Sequence, residues 1–154
     1  MKPRLIASFA VGVAVVLGAT GCNMIAPQAT TIPYSASDGV NIPSSGPLKV
    51  RNALIVADES GEDGNLVAAI VNDTDEKQTL NIGVNGKTKT VNVDARSIVS
   101  LGADDKPLLL SGIDTKPGAG LAVTFQSGDG TAVEFAVPVI DGELPYYEEF
   151  VPNS

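Results

Sequence analysis

The chain has 154 residues, room for one domain of ordinary size. It is 44% hydrophobic but only 5% aromatic, carries a formal net charge of -8, and has no His and a single Cys. A basic nucleic-acid footprint, the usual general base, the commonest metal ligand, an intrachain disulfide and a Cys-rich zinc site are therefore all excluded.

The N-terminus reads as an address. Lys2 and Arg4 precede an uncharged, mostly apolar run from Leu5 to Leu17, and Gly18-Ala19-Thr20-Gly21-Cys22 follows. A positive start, a short apolar region and small residues before a cleavage point are the pattern of an export signal. The run is short for a full span, which needs roughly 20 apolar residues. It does continue past Cys22, which leaves an uncleaved anchor as the alternative. Ala19-Thr20-Gly21-Cys22 resembles a bacterial lipobox, in which the Cys thiol receives diacylglycerol and the peptidase cuts before it. The expectation is a signal peptide over 1–21 and a lipidated, palmitate-bearing Cys22. The protein then sits on the cell membrane, facing outside the cytoplasm. Two acyl chains, at about 0.8 kcal/mol per buried CH₂, supply stable anchoring. Cleavage leaves 154 − 21 = 133 residues with 8 basic and 18 acidic side chains, a charge of 8 − 18 = -10. Such a domain is repelled by anionic headgroups and stands off the surface.

Residues 22–37 hold Pro27, Pro33 and small polar residues without periodicity, which predicts a flexible tether. From Asp38 the pattern is β. Leu48 to Ala57 alternates and then becomes wholly apolar. Leu66–Val71 is a short apolar run between Gly64-Asn65 and Asn72-Asp73. Leu80–Val84 alternates, Asn85-Gly86 gives a strong hairpin signal, and Thr88–Val93 returns. Arg96–Leu101 is a further candidate. Leu121–Phe125 and Thr131–Val137 flank the turn Ser127-Gly128-Asp129-Gly130. About seven strands with no sustained helical period predict an all-β domain over 38–142. The expected form is an antiparallel β-sandwich with Greek-key connections, of immunoglobulin or cupredoxin type, with an aliphatic core. Pro138 is expected at a strand end or on an edge. Residues 143–154 form a separate aromatic and acidic tail.

Little in the chain is equipped for catalysis. Without His, and with the one Cys committed to lipid, no activated nucleophile is evident, and the serines show neither an SxxK spacing nor a nucleophile elbow. The carboxylates available to a glycosidase cluster in loops and lack aromatic platforms. Asp58, Glu62 and Asp63 offer oxygen ligands for calcium, but Asp63 and Ala69 stand where an EF-hand needs Gly and Glu. A charged hairpin loop is the competing reading. Asn72-Asp73-Thr74 matches a glycosylation sequon and reads as a turn. Tyr146, Tyr147 and Phe150 make the tail either a partner-binding peptide or rings packed on a sheet edge.

Leu48–Val56, Asn65–Asn72 and the closing Pro145-Tyr146-Tyr147, behind a lipobox and tether, resemble actinobacterial envelope lipoproteins of the LpqE type. That group is distantly similar to periplasmic copper chaperones of the PCu(A)C type, which have a cupredoxin-like sandwich and bind Cu(I) through Met and His. The resemblance implies the fold. It does not carry the copper site over, because the only Met residues are Met1 in the signal and Met24 in the tether. The expected function is a non-catalytic binding or structural module of the envelope, with no cofactor. Its partners would be the membrane, through the anchor, and an unknown envelope protein or ligand, but not nucleic acid. The alternative is a metal-handling protein with a divergent or lost site.

Overall fold

A computed structural model of the chain describes residue 13 and residues 37–152. Cys22, the tether up to residue 36 and, apart from Val13, the signal segment lie outside the described residues. The chain separates into Met1–Tyr34 and Ser35–Ser154, and the sandwich belongs to the second unit.

Eight strands follow one another: β1 (Leu48–Ala57), β2 (Asp63–Asn72), β3 (Gln78–Val84), β4 (Lys87–Val93), β5 (Ile98–Leu101), β6 (Leu108–Ser111), β7 (Gly120–Ser127) and β8 (Val133–Ile140). Their spatial order is β4-β3-β7-β8-β1-β2-β5, with β6 also paired to β2. This is the expected all-β, cupredoxin-like sandwich, nearly closed on itself. Two details differ from the expectation. There is one more strand, because Leu108–Ser111 forms β6 against Asp63–Leu66. And one pairing is parallel: β1 meets β8 through Ile55↔Val139 and Val56↔Ile140.

Alternation explains most of the core. Along β2, Gly64, Leu66, Ala68, Ile70 and Asn72 are buried and their neighbours half-buried, because successive side chains point to opposite faces. β1 departs from this rule. Arg51 pairs with Ala69 but Leu54 pairs with Val67, so Asn52 and Ala53 together face one residue of β2. Asn52 takes a left-handed φ of 51°, which Asn tolerates better than most residues. The inserted residue reverses the parity of the strand. Before the bulge Leu48 and Val50 enter the core; after it Ala53, Ile55 and Ala57 do. Leu54 and Val56 then point to the outer face, yet both are fully buried. The wholly apolar run Ala53–Ala57 is thus a strand covered on both sides.

The hairpin at Asn85-Gly86 forms as predicted, with positive φ at both residues as a tight β-hairpin turn requires. Edge strand β4 carries exposed Lys87 and Lys89, charges that discourage edge-to-edge pairing. Pro138 falls inside β8, where it pairs with Gly120 of β7 and has an unpaired edge on the β1 side, one of the two placements expected. The ladder to β1 begins one residue later, at Val139, so its missing N–H is not called upon.

Candidate functional site

Because β1 and β8 run parallel, Ala57 and Ile140 emerge side by side at one end of the sandwich. β2 begins there at Asp63, β6 ends there at Ser111, and β7 starts there at Gly120. The connecting loops are tied to each other by backbone hydrogen bonds. Thr115 N–H donates to the Gly61 carbonyl at 2.8 Å, Gly118 N–H to the Val139 carbonyl at 2.8 Å, and Ile113 N–H to the Glu62 carbonyl at 2.8 Å. Asn85 Nδ2 donates to the Gly112 carbonyl at 2.8 Å, drawing in the β3–β4 hairpin.

These loops enclose a cleft of about 510 Å³. Ala57, Pro117 and Val151 give it an apolar lining; Asp58, Glu59, Asp141 and Glu143 supply carboxylates, and Lys116 the single cation. Among the described residues none of these charged groups forms an ion pair. Gly142 is required by close approach: a Cβ there would lie 2.2 Å from Val151 Cγ2. The tail therefore closes one wall of the cleft.

The acidic residues singled out from sequence are put to separate uses. Asp58 Oδ1 accepts from the Ser60 hydroxyl at 2.6 Å and from Gly61 N–H at 3.0 Å, and these bonds hold its carboxyl below the usual carboxylate range. Asp63 Oδ1 accepts from Gly112 N–H at 2.8 Å, pinning β2 to the end of β6. Glu62 is exposed. Asp58 and Asp63 thus hold two different turns, and among the described residues no group of three His, Cys, Asp or Glu side chains is placed to hold a metal ion. The donors a soft metal would want are Cys22, Met1 and Met24, all outside the described residues. The carboxylates that remain are hard ligands, and they do not fit Cu(I).

The tail residues also have places. Tyr147 is partly buried and its hydroxyl donates to Asp38 Oδ2 at 2.8 Å. Burial, and then this carboxylate, push its pKa up to about 12. Tyr146 packs edge-on against it at 4.5 Å between ring centres and stays 57% exposed. The backbone carbonyl of Phe150 accepts from Asn65 Nδ2 at 2.8 Å. Sequence reasoning missed Asp141 and Glu143 as cleft residues, since nothing local joins them to Asp58 and Glu59. The parallel β1–β8 pair does that.

The sequon is a structural post. Asn72 is 1% exposed, and its Nδ2 donates to the carbonyls of Glu76, Val93 and Asp94 at 2.8, 3.1 and 2.9 Å. No sugar can reach that nitrogen in the folded chain.

Solved structures share this architecture. The "Copper-bound PCuAC domain from PmoF2" superposes with a TM-score of 0.51 at 15% identity, over 64% of this chain and 97% of that one. The "Apo PCuAC domain from PmoF1" does so with a TM-score of 0.51 at 19% identity, over 64% and 97%. The likeness is one of fold. A family model, the glycosyl hydrolase family 30 beta sandwich domain, matches residues 60–101, the stretch from the turn before β2 to the end of β5. No curated protein sequence matches the chain.

Proposed function

We propose that the chain is a lipid-anchored, extracytoplasmic lipoprotein that serves the cell envelope as a non-catalytic binding or structural module. The observation that carries this reading is a copper-domain scaffold without copper chemistry. The sandwich has the fold of a copper-bound domain, yet the chain has no His and the described residues include no Cys or Met. On this reading the sandwich, with no soft donor among the described residues, binds by shape and charge. The cleft between the β1 and β8 ends offers both, with an apolar lining and carboxylates that form no ion pair among the described residues. The sequence Ala19-Thr20-Gly21-Cys22 supports the anchor and the resemblance to LpqE-type actinobacterial lipoproteins. Metabolic palmitate labelling of wild type against Cys22→Ala tests it: label on the wild type alone is expected, and equal labelling overturns it.

A metal-handling reading rests on one observation, the fold shared with a copper-bound domain. Calorimetric titration of the domain with Cu(I), Cu(II) and Ca²⁺ separates the two. Weak, non-stoichiometric heats are expected. A tight one-to-one site lost in Asp58→Asn/Asp63→Asn would favour the metal instead.

A further inference from the structure

On the outer side of β1, β2 and β5 the strand register sets side chains in rows. Lys49 pairs with Val71, and Val71 with Ile98; in the next row Arg51 pairs with Ala69, and Ala69 with Ser100. On their strands these six flank Val50, Ile70 and Val99, which lie in the core or pack against it, so the six project outward together. Ile98 is 60% exposed although apolar, on the strand that ends the sheet, and Val71 and Ala69 are half-buried. Arg51 is exposed and forms no ion pair among the described residues; its Nη1 donates to the Val50 carbonyl at 3.1 Å. Lys49 shares its charge with Asp73, in a pair more than half exposed on both sides.

The chain enters the domain beside these rows. Ser37 Oγ donates to Asn52 Oδ1 at 2.6 Å and Gly39 N–H to the same oxygen at 3.0 Å, and Asn52 directly follows Arg51. Ser37 stands 37 − 22 = 15 residues after Cys22, a span of at most about 50 Å. An acylated Cys22 thus keeps this face within reach of the bilayer, and tethering turns a weak surface affinity into a populated contact. The net charge opposes such contact, but the charge is uneven. The rows lie toward the Asn72 end, where Lys49, Lys77 and Arg96 each meet an acid. Asp58, Glu59, Asp141 and Glu143 lie at the other end of the 10-residue strand β1, roughly 30 Å away. Anionic headgroups repel that end and turn it outward.

We propose that the outer face of β1, β2 and β5 docks the anchored domain on an anionic lipid surface, with Arg51 and Lys49 toward lipid phosphates and Ile98 among the headgroups. An exposed apolar side chain beside cations is the chemistry of an interfacial contact. The exposed pair of Lys49 costs little to exchange for a phosphate. The cleft then points away from the bilayer, open to what it binds. This rests on the lipid-anchored reading and deepens it: an oriented contact replaces the stand-off that net charge alone predicts.

The test uses the lipoprotein extracted from membranes and reconstituted in vesicles of phosphatidylcholine with about one third phosphatidylglycerol. A Ser100→Cys variant takes one thiol-reactive dye, because the acylated Cys22 does not react; Ala122→Cys, on the exposed side of β7, is the control. A spin label carried by the lipid should quench the dye at position 100 roughly threefold more than the dye at 122. Arg51→Glu and Ile98→Ser should each remove about half of that difference or more, and about 0.5 M salt should weaken it. Equal quenching at the two positions, or a difference that neither substitution moves, overturns the docking and leaves the anchor standing. A difference that persists in pure phosphatidylcholine and grows with protein density overturns it in favour of a second copy on this face. Two dyes on the Ser100→Cys chain would mean that Cys22 carries no lipid, which fails the anchored reading and the docking with it.

Discussion

At the end of the sandwich that holds Asn72, acids are matched. Lys49 meets Asp73, Lys77 meets Asp94 at 2.9 Å, and Arg96 meets Asp75 at 2.8 Å. At the opposite end Asp58, Glu59, Asp141 and Glu143 surround a cleft beside Lys116, and among the described residues none is paired. The first end spends its polar groups on holding turns. At the second, Asp58 and Asp141 accept hydrogen bonds within their own turns and meet no cation among the described residues, where β1 and β8 run parallel and finish together. Unbalanced charge raises self-repulsion in the folded state. The two ends thus treat the same residue type in opposite ways, one with ion pairs and the other, among the described residues, without them.

The largest expected effect lies at the neutralised end. Asn72→Leu keeps the volume roughly constant but strips the donor from the three carbonyls it satisfies and the acceptor from Thr74 N–H and Oγ1. Buried polar groups left unpaired cost about 1–3 kcal/mol each, so a loss of roughly 3 kcal/mol or more is expected in urea unfolding. A loss below about 1 kcal/mol would mean that water replaces the side chain, and that the end is not held by Asn72.

At the cleft end the sensitive position is Gly142. An alanine Cβ would have to displace Val151 Cγ2, so Gly142→Ala should cost roughly 1–3 kcal/mol, the usual range for overpacking. Val151→Ala in the same chain should return part of that loss, because it removes the colliding methyl. Purely additive losses in thermal melts would show that the wall of the cleft is not built on this contact.

These two sites differ in how far the sequence discloses them. The alternation of β2 and the Asn85-Gly86 hairpin are local patterns, and both elements form where the pattern puts them. The apolar run Ala53–Ala57 announces two-sided burial, but not what lies on the second side. That side is set by the bulge at Asn52, which turns Leu54 and Val56 outward and which no spacing in the run reports. β6 goes unread because Leu108–Ser111 is four residues without alternation, framed by Pro107 and Gly112. The acid-rich loop at Asp58–Asp63 is plain in the sequence. Its union with Asp141 and Glu143 follows from the parallel pairing of the first and last strands, which no short-range signal reports.

Tyr147 gives the next smaller effect, and a pH dependence of definite sign. Its pKa rises from 10.0 in the free side chain to about 12 in the fold. The protonated hydroxyl is thus favoured by folding, and its contribution is complete below pH 10 and lost as pH climbs from 10 through 12. Tyr147→Phe should cost about 1 kcal/mol near neutrality and flatten the alkaline limb of the stability curve. An unchanged limb would mean that the hydroxyl is not tied to Asp38 in solution.

The smallest effects sharpen the contrast between the ends most directly. Lys49 holds the Asp73 carboxyl below its usual value of 3.8, through a hydrogen bond and then through charge. A depressed carboxylate contributes stability above its unfolded pKa and loses it as pH falls, so this share is present at neutrality and fades below about pH 4. Both side chains are more than half exposed, at 54% and 56%, so Lys49→Ala should destabilise only slightly, and the difference should vanish in about 1 M salt. Glu143→Gln at the cleft should act in the opposite direction, with a small gain at low salt, because it removes one of several like charges and breaks no ion pair. Paired denaturant titrations at two salt concentrations read both. Opposite signs at low salt that converge at high salt would establish that one end stores its charge in bonds and the other keeps it free; equal signs would dissolve the distinction.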